Sequence, residues 1–176
     1  MAMIIPGFLI SIATFPGVIV HEFAHMLFCK RRGIAVLDVC FFRIGNPAGY
    51  VVHEEISDFT TAFLVSVGPF LINSLLSIFI CFPAFVPLEV FGLKQPLSYV
   101  LLWLGVSIGM HAFPSTQDAR ALLHHAKKAV STVSPLAILS FPIVVAIYIV
   151  NILSFFWIDY LYGIGIGLGL PSLIFR

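Results

Sequence analysis

Apolar residues run nearly unbroken over several stretches of this chain, and the polar residues gather between them. The first stretch extends from about Met3 to Cys29 and stops at Lys30-Arg31-Arg32. Others cover about Phe59 to Phe82, Leu97 to Phe113 and Pro135 to Trp157. A membrane-spanning helix needs roughly 17–25 mostly apolar residues, so each of the four predicts one span. The last stretch, about Tyr160 to Phe175, is shorter and carries Gly163, Gly165, Gly167 and Gly169. Its overlapping G-x-x-x-G patterns suit a short fifth helix packed closely on a neighbour, or a re-entrant segment.

Between the first two runs the pattern changes. Ile34 to Phe42 is rich in β-branched and aromatic residues, Gly45-Asn46-Pro47-Ala48-Gly49 forms turns, and Tyr50-Val51-Val52 is a second short run. This predicts a β-hairpin beside the first helix. A sheet cannot lie bare in lipid, so the hairpin must pack on protein or line a watery cavity. From Ala119 to Val130 the chain is amphipathic, with Asp118 just before it. The expected fold is therefore all-α and polytopic, four to five transmembrane helices with a small β-hairpin after the first.

Composition agrees. The chain is 60% hydrophobic and 10% charged, with a mean hydropathy of +1.09, values of an integral membrane protein. A net charge of +1 provides no basic field for nucleic acid. Cys29, Cys40 and Cys81 form no C-x-x-C pair, which argues against a disulfide framework or a thiolate metal site. The first run has no basic leading region and exceeds a signal-peptide core, so a retained helix is expected. Residues 1–176 are expected to form one membrane domain without an appended soluble module.

Candidate chemistry sits inside that first run, where His21-Glu22-Phe23-Ala24-His25 reads H-E-x-x-H. Helical residues four apart share a face, so both imidazoles can reach one metal ion. Glu22 is placed to take a proton from water activated there. Ionisable groups are costly in hydrocarbon and persist where they have a partner and a task, so the motif is sharper here than on a soluble helix. The competing reading is a pair of packed histidines, and it leaves Glu22 unexplained. Lys30-Arg31-Arg32 orient that end toward the cytoplasm. At 1.5 Å per residue the histidines lie roughly 7–14 Å from the charged end.

Further residues have two readings each. Asp118 follows a break at Pro114, on the side marked by Arg120, Lys127 and Lys128. It either completes a three-ligand site or caps the amphipathic helix. Asn73, after Gly68-Pro69, serves interhelical hydrogen bonding or catalysis. His111 supports the site or simply packs. His53, Glu54 and Glu55 supply a ligand or a solvated loop.

Taken together, His21-Glu22-Phe23-Ala24-His25, the Gly49-Tyr50-Val51 strand, Gly68-Pro69 with Asn73, and Pro114 with Asp118 resemble, in order, the site-2 protease family of intramembrane zinc metalloproteases. The resemblance covers residues 1 to about 125. Asn73 stands one residue beyond the family's G-P-x-x-N, and Gln117-Asp118-Ala119 replaces its Leu-Asp-Gly. The resemblance implies Zn2+ held by His21, His25 and Asp118, with Glu22 as general base. It also implies a transmembrane protein substrate, bound by Gly49, Tyr50 and Val51 with Asn73 holding the substrate backbone or the oxyanion. A multi-pass protein in a lipid bilayer, with its active site near the cytoplasmic side, is the corresponding expectation. The alternative is a non-catalytic membrane scaffold or a metal-binding transport component. A transporter should show repeated halves, and the chain has a single metal motif.

Overall fold

The first apolar run folds as two helices, not one. In the computed structural model, which describes residues 7–131, 135–153 and 157–175, α1 covers Gly7–Ala13 and α2 covers Phe15–Arg31. Residues 3–6 of the expected span lie outside the described residues. Pro16 is the physical reason for the break, because it has no N–H to give to the turn before it. The Thr14 hydroxyl donates back to the Ile10 carbonyl at 2.7 Å, and the Trp103 indole N–H donates to the Ala13 carbonyl at 3.1 Å. The indole thus takes a carbonyl that the break leaves without its helical partner, since the Gly17 N–H turns to the Thr14 carbonyl instead.

The hairpin forms as the residue pattern predicts. Strands β1 (Val36–Cys40) and β2 (Tyr50–His53) pair antiparallel, with Val39 opposite Val51 and Cys40 opposite Tyr50. Two strands make the whole sheet, so β2 has no strand on its outer side. Cys29, Ile56, Ala62 and Val65 form a buried cluster, with Phe28, Ile34 and Val36 packed on it. That cluster ties the end of α2 to the root of the hairpin and to the next helix.

Helix α3 covers Phe59–Phe85 and continues through one π-helical turn, Val86–Val90. Asp58 caps it by accepting from the Thr61 N–H at 2.8 Å. Arg32, just past α2, donates to the Thr61 hydroxyl, so the basic end of α2 meets the start of α3. The Phe28 ring occupies the space where a Cβ on Gly68 would stand, which brings α2 and α3 close. Helix α4 covers Pro96–Met110 and stops three residues before the expected end, ahead of Pro114, which disfavours helical geometry in the residue before it.

Helix α5, Thr116–Ser131, turns its apolar side inward. Leu122 and Ala126 are buried with Phe59 of α3 and Val144 of α6, which covers Pro135–Leu153. Of the expected span 135–157, residues 154–156 lie outside the described residues. The final stretch is helical throughout, as α7 (Ile158–Ile164), a π-helical turn (Gly165–Gly169) and α8 (Leu170–Ile174). The protein is thus mostly helical with one small antiparallel sheet. Among the described residues one helix, Phe59–Val90, is long and apolar enough to cross a membrane, and Pro96–Met110, Phe141–Val150 and Ile158–Ile174 are shorter apolar helices.

Candidate metal centre

Helical spacing puts His21 and His25 one turn apart on the inner side of α2, where both are buried. Their Nε2 atoms are 3.1 Å apart. Asp118 reaches them from the first turn of α5, its Oδ2 standing 3.3 Å from His25 Nε2 and 4.0 Å from His21 Nε2. Donor atoms around a tetrahedral zinc at about 2.0–2.2 Å stand roughly 3.3 Å from one another. The three observed separations bracket that value, and two nitrogens with a carboxylate oxygen are a donor set zinc accepts. Among the described residues this is the one group of three or more such side chains placed so that it could hold a metal ion.

The surroundings fix which atoms face inward. His21 Nδ1–H donates to the His111 carbonyl at 2.7 Å; a carbonyl only accepts, so the proton sits on Nδ1 and Nε2 keeps its lone pair. Histidines that bind metals commonly give their second N–H to such a partner. The His111 carbonyl is open to His21 for a reason visible in the chain. Pro114 has no N–H to return, and the Ser115 N–H is spent on Asp118 Oδ2 at 3.0 Å.

Asp118 also helps to cap α5. It shares a reciprocal cap with Ser115, whose hydroxyl donates to Oδ2 at 2.6 Å and accepts from the Asp118 N–H at 3.2 Å. The same oxygen faces the histidines. Burial pushes the Asp118 carboxyl up, but the His25 ring, with His21 and Ser115, holds it well below the usual carboxylate range.

A cavity of about 810 Å³ opens over the three donors. Glu22, Gly49, Tyr50, Val51 and His53 line it, so the hairpin forms one wall and His21, His25 and Asp118 another. Glu22 lies against the hairpin turn: a Cβ on Gly49 would stand 2.6 Å from Glu22 Cγ and 3.1 Å from its Oε1. We expect Gly49→Ala to displace this carboxylate and lower any Glu22-dependent activity about 10- to 100-fold, the scale of a misplacement near 1 Å. Zinc content should stay at the wild-type level, and parallel metal analysis and activity assays check both.

The structure brings His21, Glu22, His25, Gly49, Tyr50, Val51 and Asp118 to one cavity. Asn73 is not among them. It is wholly buried between α2, α3 and α4, and its amide donates to the carbonyls of Gly17, Ile108 and His111. This is a correction to the substrate-facing role expected of it, because every proton it offers is directed at backbone. His111 contributes its carbonyl, while its ring bonds the Thr14 hydroxyl at 2.8 Å. His53 reaches the cavity but stands outside the donor triad, with Nδ1–H on the Glu54 carbonyl at 2.7 Å. Ser115 went unnoticed from sequence, although the spacing Ser115-Thr116-Gln117-Asp118 is a capping signature.

No protein-family model, curated protein or solved structure matches the chain.

Proposed function

We propose that this protein is an intramembrane zinc metalloprotease of the site-2 protease type, hydrolysing peptide bonds of transmembrane or membrane-associated proteins. One observation carries the reading: three donors 3.1–4.0 Å apart share a cavity with a carboxylate and with the unpaired side of a β-strand. His21, His25 and Asp118 would hold the ion, which when bound would supply Lewis-acid activation of a water and of the substrate carbonyl.

The remaining steps belong to the chain itself. Glu22 accepts the proton of the attacking water as its oxygen bonds to the scissile carbonyl carbon. When the C–N bond breaks, Glu22 returns that proton to the leaving nitrogen, which departs as an amine and leaves a carboxylic acid behind. A substrate helix hides its peptide bonds in its own hydrogen bonding, so it must unwind locally. Strand β2 offers the unwound segment a partner along its unpaired edge, beside the cavity that Glu22, Tyr50 and Val51 line.

A membrane setting fits the surface. Phe79, Leu97 and Leu173 are each more than 60% exposed on apolar helices, which suits hydrocarbon better than water. Lys30, Arg31, Arg32, Arg120, Lys127 and Lys128 flank those helices and suit a cytoplasmic end.

The test is metal content and cleavage on one preparation. Protein purified in detergent should carry one zinc per chain and cleave members of a panel of single-span peptides. A chelator should remove both properties and added zinc restore them. Folded protein that takes up no zinc would end this reading.

A further inference from the structure

Asn73 lies beneath the metal-binding pair, and its bonds lead back to it. The side chain is wholly buried, and its Nδ2 stands 3.1 Å from the His111 carbonyl, 3.1 Å from the Ile108 carbonyl and 3.3 Å from the Gly17 carbonyl. Gly17 belongs to α2, whereas Ile108 and His111 lie at the end of α4, where helical carbonyls lose their intrahelical partners. Asn73 therefore joins three helices at the level of the site. Among the described residues its Oδ1 has no hydrogen-bond partner, so the residue carries a buried acceptor that an apolar side chain would not have.

The His111 carbonyl shows what the Asn73 amide protons do. It has two lone pairs, and two side chains use them: His21 Nδ1–H at 2.7 Å and Asn73 Nδ2–H at 3.1 Å. The backbone N–H groups that would normally take this carbonyl are withdrawn, one by proline at 114 and one by the Ser115–Asp118 cap. Without Asn73, the segment between α4 and α5 is free to turn the carbonyl away from His21. The imidazole would then lose the bond that sets its tautomer and its ring direction.

We propose that Asn73 is a positioning residue for the metal site, acting through the His111 carbonyl to hold His21 Nε2 toward His25 and Asp118. This rests on the zinc reading above and gives Asn73 a place in it without contact with substrate.

The experiment measures zinc affinity by chelator competition on the full chain in detergent, together with the melting temperature of the zinc-free protein. Asn73→Leu keeps the volume and removes the donors. Its zinc affinity should fall about 10- to 100-fold, the usual effect of removing a group that orients a ligand. Cobalt substituted for zinc should show a shifted visible spectrum in this variant, a change that loss of packing alone does not produce. Asn73→Ser, whose hydroxyl is too short to span to His111, should lose affinity in the same direction and carries the test if Asn73→Leu does not fold. Ser77→Ala, one turn along the same buried side of α3, should bind zinc as wild type does.

Wild-type affinity and an unshifted cobalt spectrum in a folded Asn73 variant overturn the proposal while leaving the protease reading intact. Wild-type protein that binds no zinc overturns both.

Discussion

Replacing Glu22 with glutamine is expected to abolish cleavage and leave zinc in place. The carboxylate is not one of the three donors, so removing its charge leaves His21, His25 and Asp118 free to hold the ion. Glutamine has nearly the same volume and still fits against Gly49, but it cannot accept a proton at neutral pH. A positioned general base contributes about 10²–10⁴ in rate, equivalent to roughly 3–5 kcal/mol of barrier. The measurement is cleavage of a single-span peptide beside zinc per chain. A Glu22→Gln protein that cleaves at the wild-type rate would remove Glu22 from the mechanism.

Asp118→Ala should have the opposite profile, losing the metal itself. The substitution removes one of three donors and leaves two histidine nitrogens 3.1 Å apart with no anion beside them. The drop in zinc affinity should exceed the roughly 10- to 100-fold that follows loss of a supporting hydrogen bond. Because Asp118 also shares the cap with Ser115, some of the damage to α5 is structural. Ser115→Ala separates the two effects. It removes the cap hydroxyl, worth about 1 kcal/mol of stability, and keeps the carboxylate. Zinc competition and thermal melting on both variants give the comparison. Near-normal zinc binding in Asp118→Ala would exclude it as a ligand.

What could be read from sequence was what depends on near neighbours along the chain. The i, i+4 spacing of His21 and His25 follows from one helical turn, and the hairpin follows from the turn formers at 45–49. Asp118 was legible in part: its place after Pro114 allowed a return to the histidines, while its distance from them depends on how α5 packs. The break at Thr14 has a local signal in Pro16, whereas the partners of the groups around it, Trp103 and His111, lie 90 and 97 residues away. Of the two readings open for Asn73, interhelical hydrogen bonding and catalysis, the structure shows the interhelical bonds. Its identity announces a polar task, but the direction of its amide is set by how α3 is rotated against two other helices. His111 supplies a main-chain oxygen, and a residue's name does not disclose that.

Gly163 of α7 lies so close to α4 that a Cβ there would stand 2.8 Å from the Met110 nitrogen and 3.0 Å from the Val106 oxygen. Two backbones in such contact leave no side-chain layer on which to slide. In mechanical terms, the end of α4 that presents the His111 carbonyl is the fixed jaw of a vice, clamped from behind. The facing jaw is a two-stranded ribbon anchored at its root. If the cavity widens to admit a peptide, the ribbon is the part that gives, and the histidines keep their aim while it does.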